Sequence, residues 1–361
     1  MPHSIPQEEN PSRNYVPFWT ADNLADTKEI PTYLFRLNTP WTDGTTTCSR
    51  VCPPMPRNTN LLDLNTCIAA DHLYAHFDWE RKHETTCNFM SWSSSLLFLI
   101  QYAFFRYTRW QHRDFNDIKL LVVDTRKLPK GIFAKDMDLL EELSATCKSK
   151  FYCRAHNRLA NFLRMRNGAN HFGEYLTQGA LDIFDGESIQ VNFQKMVDLG
   201  LIKLLPNDMG NEENWNQWPT AVVAARGPFS EPIDAPPALK EEVGTAIAIA
   251  KILFKGPWSL PVAAMLLSLK PRQRNDPVIL NGFLKIYGAD IIRNTVSQGL
   301  VIDGERLPEV QQYRYIIDDI ASAVLQNDES AASDSHESDG DNCASLGDLT
   351  LRMGGLDLGL D

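Results

Sequence analysis

The feature that most constrains this chain is an almost unbroken apolar segment at residues 96–105, in which Gln101 is the single interruption. The segment is only about half as long as a helix that crosses a bilayer. A helix that is apolar on every side must be covered on every side. Residues 96–107 therefore predict a buried helix at the centre of a folded domain.

Runs with the character of β-strands lie before and after this helix. Residues 33–37, 88–93, 118–123 and 173–177 are short, rich in apolar residues and bounded by turn-forming residues. Beyond residue 188 the apolar residues recur at helical spacing, with Pro and Gly between the segments. The pattern predicts an α+β fold, in which a half with both strands and helices is followed by an all-helical half.

These patterns divide the chain into four regions. They are a polar extended segment over 1–29, a sheet-containing domain over 30–187, a helical domain over 188–326 and a disordered acidic tail over 327–361. The tail has nine acidic residues and one arginine, so it carries −8 of the formal net charge of −11. It has few aromatic or β-branched residues and cannot bury enough apolar surface to fold alone.

Charge and cysteine usage limit the partners and the compartment that we expect. The body outside the tail is close to neutral, which argues against a nucleic-acid or membrane partner. The N-terminus lacks an apolar signal segment, and the seven cysteines are too irregularly spaced for a disulfide framework. We therefore expect a cytoplasmic protein. The stretch from Leu346 to Leu360 resembles a nuclear-export peptide or a helix that docks onto a partner protein, so shuttling to the nucleus belongs to this expectation.

The sequence carries none of the common loops that bind cofactors. Gly-x-Gly-x-x-Gly and Walker-type loops are missing, which excludes Rossmann and P-loop folds. Cys48, Cys52, Cys67, His72 and His76 lack the spacing of a zinc site, and we predict no metal.

Three groups of polar residues stand on three predicted strands. They are Arg36 in Tyr-Leu-Phe-Arg, Ser91 and Ser93 in Met-Ser-Trp-Ser-Ser-Ser, and Glu174 in Gly-Glu-Tyr-Leu. The series resembles the cholera- and pertussis-type ADP-ribosyltransferases, which have an early strand Arg, a Ser-x-Ser that leads directly into a helix, and a later strand Glu. It also resembles a fungal family of uncharacterised domains, over roughly residues 30–320.

The resemblance implies a split mixed sheet of ADP-ribosyltransferase type over 30–187, with NAD as substrate. Arg36 and Ser91 would bind NAD, and Ser91 and Ser93 would brace Arg36 and Glu174. Glu174 would bind the ribose 2′-hydroxyl and stabilise an oxocarbenium-like transition state, as carboxylates do in glycosidases. The predicted reaction is ADP-ribosyl transfer or NAD hydrolysis, with Glu174, Ser91 and Ser93 as its catalytic residues.

One position departs from the pattern of the transferases. Many of them carry Glu or Gln two residues before the catalytic Glu, to orient the acceptor, and this chain has Phe172 there. Transfer to protein arginine is therefore in doubt. Hydrolysis, another acceptor, or a catalytically inactive fold that acts as a protein-interaction or regulatory module through its helical half remain open.

Two further features lie close to Glu174. Residues 148–166 hold six basic residues and no acid, which suits either a phosphate-binding patch or an ordinary basic helix face. The turn that follows holds Asn170 and His171, which the resemblance places near the acceptor. Trp92 alternates to the face opposite Ser91 and Ser93, so we predict that it packs in the core.

Overall fold

A computed structural model of the protein describes residues 13–19, 29–78, 87–109, 114–148, 156–230, 235–304 and 306–337. In that part of the chain, none of the helices is long and apolar enough to cross a membrane. The stretch from Leu346 to Leu360 lies outside these residues.

Within the described residues, nine strands form two sheets. The strands are β1 Tyr33–Asn38, β2 Thr45–Thr46, β3 Arg50–Cys52, β4 Phe89–Ser93, β5 Lys119–Asp124, β6 Ala134–Lys135, β7 Glu174–Gln178, β8 Leu181–Asp182 and β9 Ser188–Asn192. The larger sheet has the order β6-β7-β4-β1-β5-β9 and the smaller one the order β2-β3-β8. The predicted strands at 33–37, 88–93, 118–123 and 173–177 are confirmed as β1, β4, β5 and β7.

The larger sheet is antiparallel, not mixed as the resemblance implied. Every pair of neighbouring strands runs in opposite directions. The strands β4 and β5, which a helix joins, do run parallel, but β1 lies between them and is antiparallel to both. The sheet is nevertheless split, because β1 and β4 pair only at Phe35 and Ser93, whereas β1 pairs with β5 along its whole length.

The helices follow the predicted apolar spacing. They are α1 Thr66–Phe77, α2 Leu96–Thr108, α3 Asp136–Lys148, α4 His156–Asn167, α5 Phe193–Asp198, α6 Asn207–Gly210, α7 Thr220–Arg226, α8 Lys240–Leu253, α9 Ser259–Leu267, α10 Pro277–Ser297 and α11 Pro308–Glu337. The predicted central helix is confirmed as α2, whose Leu97, Ala103 and Phe104 have no exposed surface. Ser95 caps its N-terminus by accepting a hydrogen bond from the backbone N–H of Phe98.

The sheet and the helical half share one hydrophobic core. Phe35 of β1, Phe104 of α2 and Leu266 of α9 belong to the same buried cluster. Phe104 also stacks on Trp215, with the ring centroids 4.4 Å apart. The helical pattern expected from residue 188 begins only at Phe193, because residues 188–192 form the edge strand β9. The two halves therefore cover each other.

At both ends, the folded part of the protein extends beyond the predicted boundaries. Val16 pairs with Gln178, and Phe18 is buried and stacks on Phe89, so residues 13–19 belong to the body. At the other end, α11 continues to Glu337, eleven residues into the predicted disordered tail. Its buried residues, such as Val324, anchor it, and no Pro or Gly stops it before Gly340. The rest of the predicted tail lies outside the described residues.

Candidate functional site

A cleft of about 760 Å³ opens where β1 and β4 separate. Its walls come from these two strands, the start of β7, and helices α1, α2 and α4. Arg36, Ser91, Ser93 and Glu174 all line it. The four residues singled out in the sequence therefore line one cavity, although Arg36 and Glu174 are 138 positions apart in the chain. What they do there stays a prediction.

Arg36 is a buried cation that lines the cleft. Its side chain donates through Nε to Thr46 Oγ1 at 3.0 Å and through Nη1 to the Ser91 carbonyl oxygen at 2.7 Å, with Met90 Sδ at 3.7 Å from Nη2. Among the residues that the structure describes, no carboxylate pairs with Arg36. Burial lowers the pKa of Arg36 to about 10, so it stays charged at neutral pH. A guanidinium has five N–H donors, so this one can bind an anion as well.

The opening between β1 and β4 gives Arg36 access to the cleft. The strand register places Arg36 on the sheet face of Leu34, opposite Ser91 and Ser93. Beyond the Phe35–Ser93 pair, β1 and β4 separate. The Arg36 guanidinium reaches into this opening and donates to the Ser91 carbonyl oxygen of β4. The resemblance implied that Ser91 braces Arg36. In the structure, the Ser91 carbonyl oxygen and the Thr46 hydroxyl contact Arg36. The Ser91 hydroxyl makes a different contact, described below.

Glu174 lies at the start of β7, which is separated from β1 by β4, and it pairs with Ser93 across the β4–β7 ladder. Its Oε2 forms an ion pair with Nη1 of Arg166 on α4, and the same nitrogen lies 3.2 Å from Asp136 Oδ2. Burial raises the pKa of Asp136, against the opposing charge of Arg166. Arg166 therefore contacts two carboxyl groups, those of Glu174 and Asp136.

Ser93 positions the backbone next to Glu174. It is buried, and its hydroxyl donates to the Phe172 carbonyl oxygen at 2.7 Å and accepts from the Ser95 backbone N–H at 3.0 Å. The side chain thus ties the start of α2 to the segment that enters β7. The resemblance implied that Ser93 braces Glu174; the Ser93 hydroxyl contacts the Phe172 carbonyl oxygen, two residues before Glu174.

An aromatic wall lines the cleft beside these charges. Phe98 stacks on Phe172 with centroids 4.6 Å apart, and Trp218 lies 5.8 Å from Phe98 and 5.4 Å from Tyr102. All four rings line the cleft. Flat apolar surfaces beside a cation suit a ligand with an aromatic ring and an anionic group. Phe172 belongs to this wall and offers no hydrogen bond to an acceptor.

Two residues that the sequence did not single out for the site, His76 and Cys87, form a hydrogen-bonded chain with Ser91. His76 of α1 lies with Nε2 2.8 Å from Ser91 Oγ and Nδ1 3.0 Å from Cys87 Sγ. Both His76 and Cys87 line the cleft, as does Arg166. His76 had been weighed only as a metal ligand, and its pairing with Cys87 joins two elements that no short motif connects. In the described part of the chain, no group of three or more His, Cys, Asp or Glu could hold a metal ion.

The two candidates before Glu174 differ in position. Asn170 lines the cleft. His171 is buried, and its carbonyl oxygen accepts a hydrogen bond from Arg226 Nη1 at 2.5 Å. Burial, together with Arg306, Lys135 and Arg226, lowers the pKa of His171 to about 4. His171 is thus neutral at pH 7 and contributes to the support of the cleft wall.

Part of the basic stretch is used inside the fold. Residues 149–155 lie outside the described part of the chain. On α4, the guanidinium of Arg158 lies 4.9 Å from the ring centroid of Tyr74, and Arg166 forms the ion pair with Glu174. Arg164 is exposed. The described residues therefore favour a basic helix that is partly paired within the protein.

Comparison with known proteins gives one match. Residues 29–161 match a family described as Domain of unknown function (DUF7587). The match includes Arg36, Ser91, Ser93, His76 and Cys87, and it ends before Glu174. No curated protein and no solved structure matches the chain.

Proposed function

We propose that the protein binds NAD in this cleft and cleaves the bond between nicotinamide and ribose. The observation that carries the proposal is Arg36, a buried guanidinium on the cleft without a carboxylate partner among the described residues. Burying a charge is costly unless it is paired, and the diphosphate of NAD would pair it. Glu174, on the same cleft, would serve the reacting ribose.

The remaining walls support the proposal by their chemistry. The rings of Phe98, Tyr102 and Trp218 offer surfaces for the nicotinamide or adenine ring. Glu174 Oε2 is held by Arg166, which fixes the carboxylate while Oε1 points to a ligand hydroxyl in our proposal. As the glycosidic bond breaks, positive charge grows on the ribose, and a nearby carboxylate stabilises it.

Water or an acceptor other than arginine would take the ADP-ribose. Phe172 is packed between Phe98 and the guanidinium of Arg226, whose centre lies 5.6 Å from the Phe172 ring centroid. It has no group that could orient an arginine acceptor. We therefore propose hydrolysis or another acceptor in preference to arginine modification.

One observation favours an alternative, a binding module without turnover. The Glu174 carboxylate is engaged by Arg166, which it shares with Asp136. If Arg166 holds Glu174 away from the ribose, the cleft would bind NAD and leave it intact. The protein would then act through the partners that its bound state recruits.

Release of nicotinamide from NAD tests the proposal. We expect the wild-type protein to release nicotinamide and Glu174→Gln to lose at least about 100-fold in rate, because Gln keeps the shape and removes the charge. Glu141→Gln, a change of the same type on the exposed face of α3, is the control and should keep the wild-type rate.

The two functions give different results in this experiment. Binding of NAD without release by the wild-type protein would favour the binding module. Equal release by wild type and a folded Glu174→Gln would contradict the role of Glu174, and absence of NAD binding would contradict both functions.

A further inference from the structure

Cys87, His76 and Ser91 form a continuous hydrogen-bonded chain on the wall of the cleft. The Cys87 thiol lies 3.0 Å from His76 Nδ1, and His76 Nε2 lies 2.8 Å from the Ser91 hydroxyl. All three residues line the cavity that also holds Arg36 and Glu174. The proposed NAD cleavage gives Cys87 no role.

The imidazole of His76 is buried among aromatic rings. The centroids of the Phe77 and Phe89 rings each lie 5.5 Å from that of the imidazole. If Nε2–H donates to Ser91, Nδ1 carries the lone pair and accepts the thiol proton. This arrangement matches the pairing of a thiol with a base that activates cysteine nucleophiles.

The positive charge of Arg36 also favours the thiolate form of Cys87. Arg36 and Cys87 are close enough for the charge of one to influence the ionisation of the other. A nearby cation stabilises the thiolate, which is the form that attacks carbon. Cys87 is also half-buried on the cleft, whereas Cys147 is buried and Cys48 is exposed. Of these three, Cys87 alone lies on the cleft and pairs with a histidine.

We propose that Cys87 is the acceptor of ADP-ribose in this cleft. The inference rests on the proposed cleavage of NAD and names its acceptor. The Cys87 sulfur attacks the anomeric carbon of the ribose that carries nicotinamide. A sulfur–carbon bond forms as the carbon–nitrogen bond breaks, and nicotinamide leaves as a neutral molecule with the bonding electron pair. The thiol proton passes to His76 Nδ1 and from there to water.

The product is a thioglycoside on the wall of the cleft, and it would block the entry of further NAD. The wild-type protein should therefore release about one equivalent of nicotinamide rapidly and become modified to the same extent. This stoichiometry separates the inference from simple hydrolysis, which would continue.

The test combines nicotinamide release with mass spectrometry of the protein after incubation with NAD. We expect one ADP-ribosyl group on the peptide that contains Cys87, resistant to hydroxylamine and removed by mercuric ion, as a thioglycoside would be. Cys87→Ser should lose the adduct and the rapid phase. Cys67→Ser, at the start of α1, should keep both.

His76→Gln provides a readout that a structural role would not give. We expect adduct formation to slow about 100-fold at neutral pH and to recover as the pH rises through the range in which a free thiol ionises. A loss that is the same at every pH would contradict the role of His76 as base.

The outcomes separate this inference from the proposed function. Continuous release of nicotinamide without an adduct, unchanged in Cys87→Ser, would overturn the inference and leave NAD cleavage intact. Absence of any nicotinamide release would overturn both. An adduct on a different residue would overturn the assignment of Cys87.

Discussion

At the scale of single residues, Arg36 differs from the other deeply buried arginines near the core. Arg226 forms two hydrogen bonds with Glu309, and Arg272 donates to Glu242 at 2.6 Å. Burial would raise the pKa of Glu242, but the hydrogen bonds from Arg272 and Lys270 outweigh it and lower that pKa to about 2. These two arginines are paired with carboxylates, whereas Arg36 has no carboxylate partner among the residues that the structure describes. A buried cation without a carboxylate partner among the described residues favours the binding of an anionic ligand.

Substitution by methionine distinguishes the two kinds of arginine. We expect Arg36→Met to change the free energy of unfolding by about 1 kcal/mol or less, because relief of the buried charge offsets the lost hydrogen bonds. Arg272→Met should cost about 3 kcal/mol, because it leaves the Glu242 carboxylate without its closest partner. Urea unfolding of both variants measures the difference. A larger loss for Arg36→Met than for Arg272→Met would mean that Arg36 is a structural residue.

At the scale of elements, the junction between β4 and α2 is hydrogen-bonded to the residues that immediately precede β7. The Ser93 hydroxyl binds the Phe172 carbonyl, and the Ser94 N–H donates to the Gly173 carbonyl at 2.9 Å. Ser95 donates to Glu309 Oε1 at 2.5 Å and thereby connects the junction to α11. The three consecutive serines thus fix the backbone that presents Glu174.

A pair of glycine substitutions tests how tightly this junction is packed. Gly173 has φ +61°, and a Cβ there would lie 2.3 Å from Ser94 Oγ and 2.6 Å from Leu307 Cδ1. Gly186 has φ +77° and open space around it. Both Gly→Ala changes cost about 1 kcal/mol for the left-handed backbone, and Gly173→Ala should cost roughly 1–3 kcal/mol more from overpacking. Equal losses of unfolding free energy in denaturant titrations would show that the junction is loose.

The sequence predicted the elements better than the contacts between them. The apolar run after Ser95 specified a buried helix, because no other placement covers it on all sides. The resemblance to ADP-ribosyltransferases implied that Arg36 and Glu174 share one cleft, and both line it. The separation of β1 from β4 could not be predicted, since pairing depends on side chains far apart in sequence. For the same reason the partner of Arg36 was expected to be a serine hydroxyl, and the structure has a carbonyl and Thr46 there.

At the scale of the whole molecule, the helical half completes the cleft. Trp218 and Pro219, which precede α7, line the cavity, and the Arg226–Glu309 ion pair joins the helical half to the Ser95 junction. The cleft therefore depends on residues from both halves. The family match at residues 29–161 contains Arg36 and the serines, while Glu174 and Trp218, which line the same cleft, lie beyond it.

Titration calorimetry with ADP-ribose tests the central claim, that the cleft around Arg36 binds the diphosphate of a dinucleotide. ADP-ribose has the diphosphate and both riboses but no nicotinamide to release, so binding is measured without turnover. The account predicts that the wild-type protein binds ADP-ribose. It predicts that Arg36→Met weakens binding about 10- to 100-fold, because the variant loses a charge-assisted hydrogen bond to the diphosphate. Equal affinity of the two proteins, or no binding by a folded wild-type protein, would contradict it.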